Sequence, residues 1–291
     1  MKAIRVLPAA VLLAASVPMF AQQRPAAQRQ PAQQRQQVIP TTVDPALAAE
    51  LRFRYIGPIG NRVSSVAGVV GDPNVYYAGA ASGGIWKTTD AGIHFQPIFD
   101  NQQVSSIGAL AVAQSNPNIV WAGTGEPFIR SHISLGNGVY KSTDAGRTWR
   151  RMGLEESGRI GRIVIDPGNP DVVIVAAQGH SYGPQQQRGV FRTRDGGATW
   201  ERVLFVDENT GAIDVVMDPT NPRVLFAATW QLLLRTWGRE SGGPGSAIHV
   251  SRDGGTTWTK LEGNGLPTRT IGKIGLAIAP SNPNRIYALI E

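Results

Sequence analysis

The sequence predicts an all-β chain, a propeller built of four-stranded antiparallel blades. One turn motif is written four times, as KTTDAGIHF (87–95), KSTDAGRTW (141–149), RTRDGGATW (192–200) and SRDGGTTW (251–258). A second signature runs in phase with it: DPNVYYAGA (72–80), NPNIVWAGT (116–124), NPDVVIVAA (169–177), NPRVLFAAT (221–229) and NPNRIYALI (282–290). The Asp of the first motif recurs at 90, 144, 195 and 253, a period of just over fifty residues. Regular self-similarity of that length, in strands rather than helices, marks a propeller or solenoid. Composition agrees: 34 Gly and 20 Pro supply the turns that many short strands require.

The third repeat resolves into strand A (161–166), strand B (172–177), strand C (189–194) and strand D (199–205). The A–B turn is Asp-Pro-Gly-Asn-Pro and the C–D turn is Asp-Gly-Gly. Four antiparallel strands in about fifty residues make one propeller blade. Four complete blades are expected near 62–100, 107–153, 160–207 and 211–262, followed by strands A and B of a fifth, so about four and a half blades. An open sheet edge is an aggregation liability, and the expectation is that further C-terminal blades follow in a longer chain. Residues 51–55, LRFRY, alternate like a strand and are expected to complete the last blade of the ring.

Upstream of the repeats, residues 1–21 read as an export signal. Lys2 and Arg5 form the charged end, and an uncharged apolar run follows that is too short to span a bilayer. Residues 22–45 open with QQRPAAQRQPAQQRQQ, a Gln/Pro/Ala/Arg-rich stretch with almost nothing to bury, expected to be a disordered linker. The propeller occupies 46–291. The mature chain is expected to be secreted or periplasmic, with no integral membrane segment after signal cleavage.

The net charge of +7 does not argue for a nucleic-acid partner. Lys2, Arg5, Arg24, Arg29 and Arg35 precede the first acid, Asp44, which leaves +2 on the rest of the chain. The chain has no cysteine, so disulfides, thiolate metal sites and a Cys nucleophile are all excluded.

The repeated aspartates Asp90, Asp144, Asp195 and Asp253 read as structural. At a tight C–D turn the carboxylate accepts backbone N–H groups, and the following Gly takes a positive φ. Every blade needs such a turn, whereas a catalytic group is needed once or twice. The Trp that follows (Trp149, Trp200, Trp258, with Phe95 in the first copy) is expected to pack between blades.

These Ser/Thr-x-Asp-x-Gly-x-Thr-Trp turns are the Asp-box, or bacterial neuraminidase repeat. From about residue 51 onward the chain resembles the Asp-box β-propeller superfamily, whose branches include sortilin-type receptors, xyloglucanase-type glycoside hydrolases and photosystem II assembly factors. RYIGPIGNRVSS, ASGGIWKTTDAG, SIGALAV, GTGE, GVYKSTDAGRTW and SGGPGS are similar to the opening blades of exported bacterial sortilin-like or glycosyl hydrolase-like proteins.

Antiparallel order puts the A–B and C–D turns on one face of the disc and the B–C and D–A connections on the other. The B–C loops are long and differ between blades: 125–137, 179–188 and 230–246. Variable loops on a rigid scaffold are where binding sits. The candidate ligand surface carries Glu126, Arg130, His132, His180, Tyr182, Trp230, Arg235, Trp237, Arg239 and Glu240. Arg62, Arg162 and Lys273 are expected at the tunnel mouth on the same face. Aromatic faces with Arg and carboxylate suit a glycan or an extended peptide. His132 and His180 have no third ligand at a recognisable spacing, so neither a metal nor another cofactor is expected.

For catalysis, a glycoside hydrolase of this fold needs two carboxylates flanking the scissile bond. In the xyloglucanase-type family the first-blade segment reads Tyr-x-x-Thr-Asp-x-Gly-Gly, and the resemblance implies a catalytic role at that Asp. The matching segment here, YAGAASGGIWK, has Ala80 and Ala81 at the Thr and Asp positions. The remaining candidate carboxylates are Glu126 and Asp214. Arg62, Arg130 and Arg162 imitate the sialidase arginine triad, but the Phe/Tyr-Arg-Ile-Pro opening is missing. The leading expectation is therefore an exported, sortilin-like propeller that binds an extended glycan or peptide. A β-glucan hydrolase is the alternative, and an assembly factor for a membrane complex stands third.

Overall fold

The structure, a computed structural model, describes residues 62–130 and 133–291, all within one compact unit, Arg54–Glu291. The predicted export signal, the linker, the strand at 51–55 and His132 lie outside the described residues. Nineteen strands and one short 3-10 turn, Glu155–Ser157, make up the regular structure of the described residues.

Blade one is β1 (Val63–Val69), β2 (Asp72–Ala80), β3 (Ile85–Thr88) and β4 (Gln96–Pro97). Blade two is β5 (Ile107–Val112), β6 (Val120–Thr124), β7 (Val139–Ser142) and β8 (Arg150–Arg151). Blade three is β9 (Ile160–Ile165), β10 (Val173–Ala177), β11 (Gly189–Thr193) and β12 (Glu201–Leu204). Blade four is β13 (Thr210–Met217), β14 (Leu225–Arg235), β16 (Ala247–Ser251) and β17 (Thr259–Lys260), with β15 (Gly238–Ser241) paired to β14 alone. The pair β18 (Ile274–Ile278) and β19 (Ile286–Ile290) follows. Every pairing is antiparallel and consecutive, apart from the β15 excursion. The predicted fold class and blade spans are those observed.

Two expectations need correction. The segment 230–246 is not a loop: β14 runs on past the blade and folds back through β15, pairing Leu232 with Ser241 and Arg235 with Gly238. Alternating Leu232 and Leu234 bury one face of this hairpin, a period-2 pattern hidden in the run QLLLR. Strand D is also shorter than predicted: in blade three it starts at Glu201, because the Asp-box turn uses the preceding residues for its own hydrogen bonds.

That turn is built the same way in each blade. Asp144 Oδ1 accepts the Thr148 backbone N–H at 2.8 Å, and its Oδ2 accepts the Thr148 hydroxyl at 2.6 Å. Ser142 donates to Asp144 Oδ1 at 2.8 Å and accepts the Gly146 N–H at 2.8 Å. Asp195 and Asp253 repeat the pattern with Thr199 and Thr257. Asp90 uses His94 in place of Thr, its Oδ2 lying 2.7 Å from Nδ1. The residue after each Asp (Ala91, Ala145, Gly196, Gly254) has φ between 57° and 75°, and the Gly that follows (Gly92, Gly146, Gly197, Gly255) is left-handed too, with φ between 84° and 96°. Two successive left-handed residues explain the Asp-Ala/Gly-Gly wording.

The tryptophans link neighbouring blades. Trp149 donates its indole N–H to Ile98 O at 2.9 Å, and Trp200 donates to Met152 O at 2.6 Å. Trp200 also meets Trp121 edge-on, with centroids 6.0 Å apart. The buried core is accordingly a row of clusters between sheets, one of them built from Trp121, Val139, Ile160, Ile163, Val173, Val175 and Phe191. The first strands of successive blades pack side by side along the axis: β1 on β5, β5 on β9, β9 on β13 and β13 on β18.

A candidate ligand cleft at the B–C end

Hydrogen bonds fix which loops share an end. The Asp-box turn bonds the A–B turn of its own blade: Ala145 N to Asn118 O, Gly196 N to Asp171 O, and Gly254 N to Arg223 O. The B–C segments bond the D–A connections at the other end: Gly136 N to Gly158 O, and Gln185 N to Glu208 O. Scaffold turns and long insertions therefore occupy opposite ends.

At the B–C end a cleft of about 680 Å³ opens between the loop after β6, the inner strands β9, β13 and β18, and the β14–β15 hairpin. Phe128 and Trp230 give it ring faces, and Arg162, Asp214, Arg239 and Lys273 give it charge. Arg162 also lines a cavity of about 250 Å³ along β1 and β5, and one of about 440 Å³ toward the opposite end.

Asp214 is the more buried of the two carboxylates of the cleft. Its Oδ2 accepts the Leu276 N–H of the next blade at 2.9 Å, and Oδ1 accepts the Val215 N–H at 2.9 Å. Arg162 Nε lies 3.7 Å from Oδ1. Desolvation by burial nevertheless dominates and pushes its pKa above the ordinary carboxylate range. Lys273 shows the converse: burial lowers its pKa, against the attraction of Asp214 and Glu291. Its Nζ lies 4.3 Å from the Phe128 ring centroid and 5.8 Å from that of Trp230. Glu291 Oε2 accepts the Ser241 hydroxyl at 2.8 Å and the Lys273 backbone N–H at 2.9 Å, while the Trp230 indole donates to Ser241 at 3.1 Å.

The predicted site residues divide into groups. Arg162, Trp230 and Asp214 meet in the cleft, with Arg239 and Lys273. Trp230 is only 4% exposed, so its indole forms the floor of the cleft and packs in the fourth-blade core rather than standing on the surface as expected. Glu126 is fully buried and pairs with Arg62 and with Arg130 Nε, the latter at 3.1 Å. His180 and Tyr182 belong to the third-blade loop, where His180 Nε2 lies 3.2 Å from Glu156 O and Tyr182 covers Arg159. Arg235, Trp237 and Glu240 sit at the hairpin tip, where Trp237 is 82% exposed and Arg235 pairs with Glu240 at 3.2 Å.

Sequence reasoning missed four contributors. Phe128 and Ser241 carry no motif, although Phe128 lies two residues from Glu126 in a loop already singled out. Arg159 and Arg188 are buried guanidiniums that bond the carbonyls of Gly179, His180, Gly183 and Asn209, fixing the third loop from beneath. Among the described residues no group of three or more His, Cys, Asp or Glu is placed to hold a metal ion. No described helix is long and apolar enough to cross a membrane.

Fold and repeated turns define a β-propeller with Asp-box turns, and the chain is similar to sortilin-like and xyloglucanase-type propellers. The family model described as sortilin, neurotensin receptor 3, matches residues 137–279. A probable oligoxyloglucan-reducing end-specific xyloglucanase of Neosartorya fischeri is 29% identical over 160 residues, covering 52% of this chain and 18% of that protein. A xyloglucanase of a Paenibacillus species is 26% identical over 221 residues, covering 66% of this chain and 20% of that protein. The chain thus spans a small part of the length of these relatives. Among solved structures, a Niastella koreensis GH74 enzyme aligns with TM-score 0.57 at 24% identity, over 77% of this chain and 33% of that one. An ancestral GH74 enzyme aligns with TM-score 0.62 at 19% identity, over 81% and 30%. At these identities the structural likeness speaks for the propeller fold.

Proposed function

We propose that this protein is an exported propeller that binds an extended glycan through the cleft at its B–C end. The observation that carries the reading is an accessible cleft walled by Phe128 and floored by Trp230, with Arg162, Asp214, Arg239 and Lys273 converging on it. Ring faces present flat apolar area to a pyranose, and a few placed polar groups fix its orientation. The xyloglucanase names of the relatives favour a β-glucan chain over a peptide. Calorimetric titration of the full-length protein with xyloglucan and cello-oligosaccharides tests this. Saturable binding that weakens about tenfold in Phe128→Ala supports it, and no binding to any β-glucan sinks it.

A hydrolase is the second reading, and Asp214 favours it. A carboxyl in a cleft whose burial raises its affinity for a proton has the property a general acid needs. Against it stands Ala81, buried at the position where the resemblance would put a catalytic Asp. Release of reducing ends by the wild type, abolished in Asp214→Asn with glycan binding retained, would install this reading in place of binding alone.

A further inference from the structure

The charges of the cleft are unevenly partnered. Both acids have oxygens taken by the protein itself: Asp214 by the N–H groups of Val215 and Leu276, and Glu291 by Ser241 and the Lys273 N–H. The Lys273 ammonium, which has three donors, makes no hydrogen bond or ion pair with any described residue. It is held between ring faces instead, over Phe128 and Trp230. Three cations, Arg162, Arg239 and Lys273, line the cleft against two acids, Asp214 and Glu291.

Lys273 is half-buried, so its ammonium has given up part of its hydration, and ring faces compensate only part of that loss. An acceptor delivered by the ligand completes the set. A neutral hydroxyl satisfies one donor and leaves the charge excess. A carboxylate satisfies donors and charge together, in a bond whose donor and acceptor are both ionised. The flanking rings still favour a pyranose body.

Resting on the glycan reading, we propose that the cleft is selective for an acidic sugar, a uronate residue whose carboxylate is taken by Lys273. The pyranose lies against Phe128, Trp230 forms the floor beneath it, and Arg162 and Arg239 add positive potential at the rim. An unsubstituted glucan chain fits the same walls but leaves the ammonium unanswered.

The test compares two ligands with one backbone: cellotetraose and its C6-oxidised counterpart, a β-1,4-linked tetraglucuronate. Calorimetric titration of the full-length protein at low salt is expected to show the uronate binding about tenfold to a hundredfold more tightly, the worth of a hydrogen bond to a charged group. Lys273→Met should bring the two affinities together, and Lys273→Arg should keep most of the preference. Circular dichroism melts of both variants confirm that the blade is intact. Equal or tighter binding of cellotetraose overturns the inference and leaves the glycan reading standing. Binding of neither ligand, together with failure of xyloglucan, overturns both. A preference that survives Lys273→Met overturns the assignment to this ammonium. Equal binding of a C6-sulfated cellotetraose reduces the preference to charge alone and overturns the uronate.

Discussion

Asp214, on the inner strand of the fourth blade, accepts the backbone N–H of Leu276, on the inner strand of the next, at 2.9 Å. One carboxylate thus joins two blades at the axis while facing the cleft. Its cost is desolvation, which outweighs the two backbone bonds and Arg162 and raises its pKa above the ordinary value of 3.8. A raised folded pKa means that the native state holds the proton more tightly than the unfolded chain. The stability contribution is fully present below about 3.8 and is lost as pH rises through the folded value. Asp214→Asn keeps an acceptor for Leu276 and removes this titration. The expected result is a Tm for the variant that gains on the wild type as pH rises from 3.5 to 7. Parallel melting curves at all pH values would refute the burial argument.

The Asp-box carboxylates behave oppositely. Hydrogen bonds from Thr148 hold Asp144 down to about 2, and those from Thr199 do the same for Asp195, while Asp90 and Asp253 are depressed further still. Depressed folded values give stability that is present above the unfolded pKa and lost as pH falls through the folded one. The window therefore runs from about 4 down to about 2 and lower. These groups are solvent-exposed, so each contribution is modest, but four turns lose theirs together. Acid unfolding of wild type should steepen below pH 4. Asp144→Asn, less stable at neutral pH, should close its Tm gap to wild type as the pH approaches 2.

How much of this was legible in the sequence follows from what a repeat can encode. The Asp-box demands a carboxylate, two left-handed residues and a Thr at fixed offsets inside one turn, so Asp144, Asp195 and Asp253 announce themselves. Blade boundaries follow from the same spacing. The cleft was only partly legible, because its walls come from different blades. Lys273 meets Phe128, a residue far from it in sequence, through packing that no period records. Trp230 illustrates the other failure: an aromatic at the start of a long insertion reads as a surface residue, yet the insertion is a hairpin whose base is core.

Trp200 spans blades two and three, donating to Met152 O at 2.6 Å and meeting Trp121 edge-on. Trp200→Phe keeps the ring contact and strands the Met152 carbonyl, at a cost of about 1 kcal/mol. Trp200→Ala also empties the space between the sheets and should cost about 3 kcal/mol. Urea denaturation of both variants separates the bond from the packing. A Phe variant as unstable as the Ala variant would show that the hydrogen bond, not the ring, joins the blades.

Glycine at the second position of the inner strand recurs as Gly108, Gly161, Gly211 and Gly275. At the first three a neighbouring blade's backbone lies where a side chain would go. A Cβ at Gly108 would stand 2.2 Å from Ile160 O, at Gly161 2.1 Å from Ile213 O, and at Gly211 2.2 Å from Gln178 O. Backbone in a paired strand cannot rotate aside as a flexible side chain does, so the blades would have to part. Gly161→Ala is expected to destabilise by about 3 kcal/mol, as overpacking of a tight core does. Gly183→Ala, in the third-blade loop with open space around its Cβ, is expected to stay within about 0.5 kcal/mol of wild type. Urea midpoints for the pair decide it: if Gly161→Ala unfolds with Gly183→Ala, the inner strands are not in the close contact that sets the spacing of the blades.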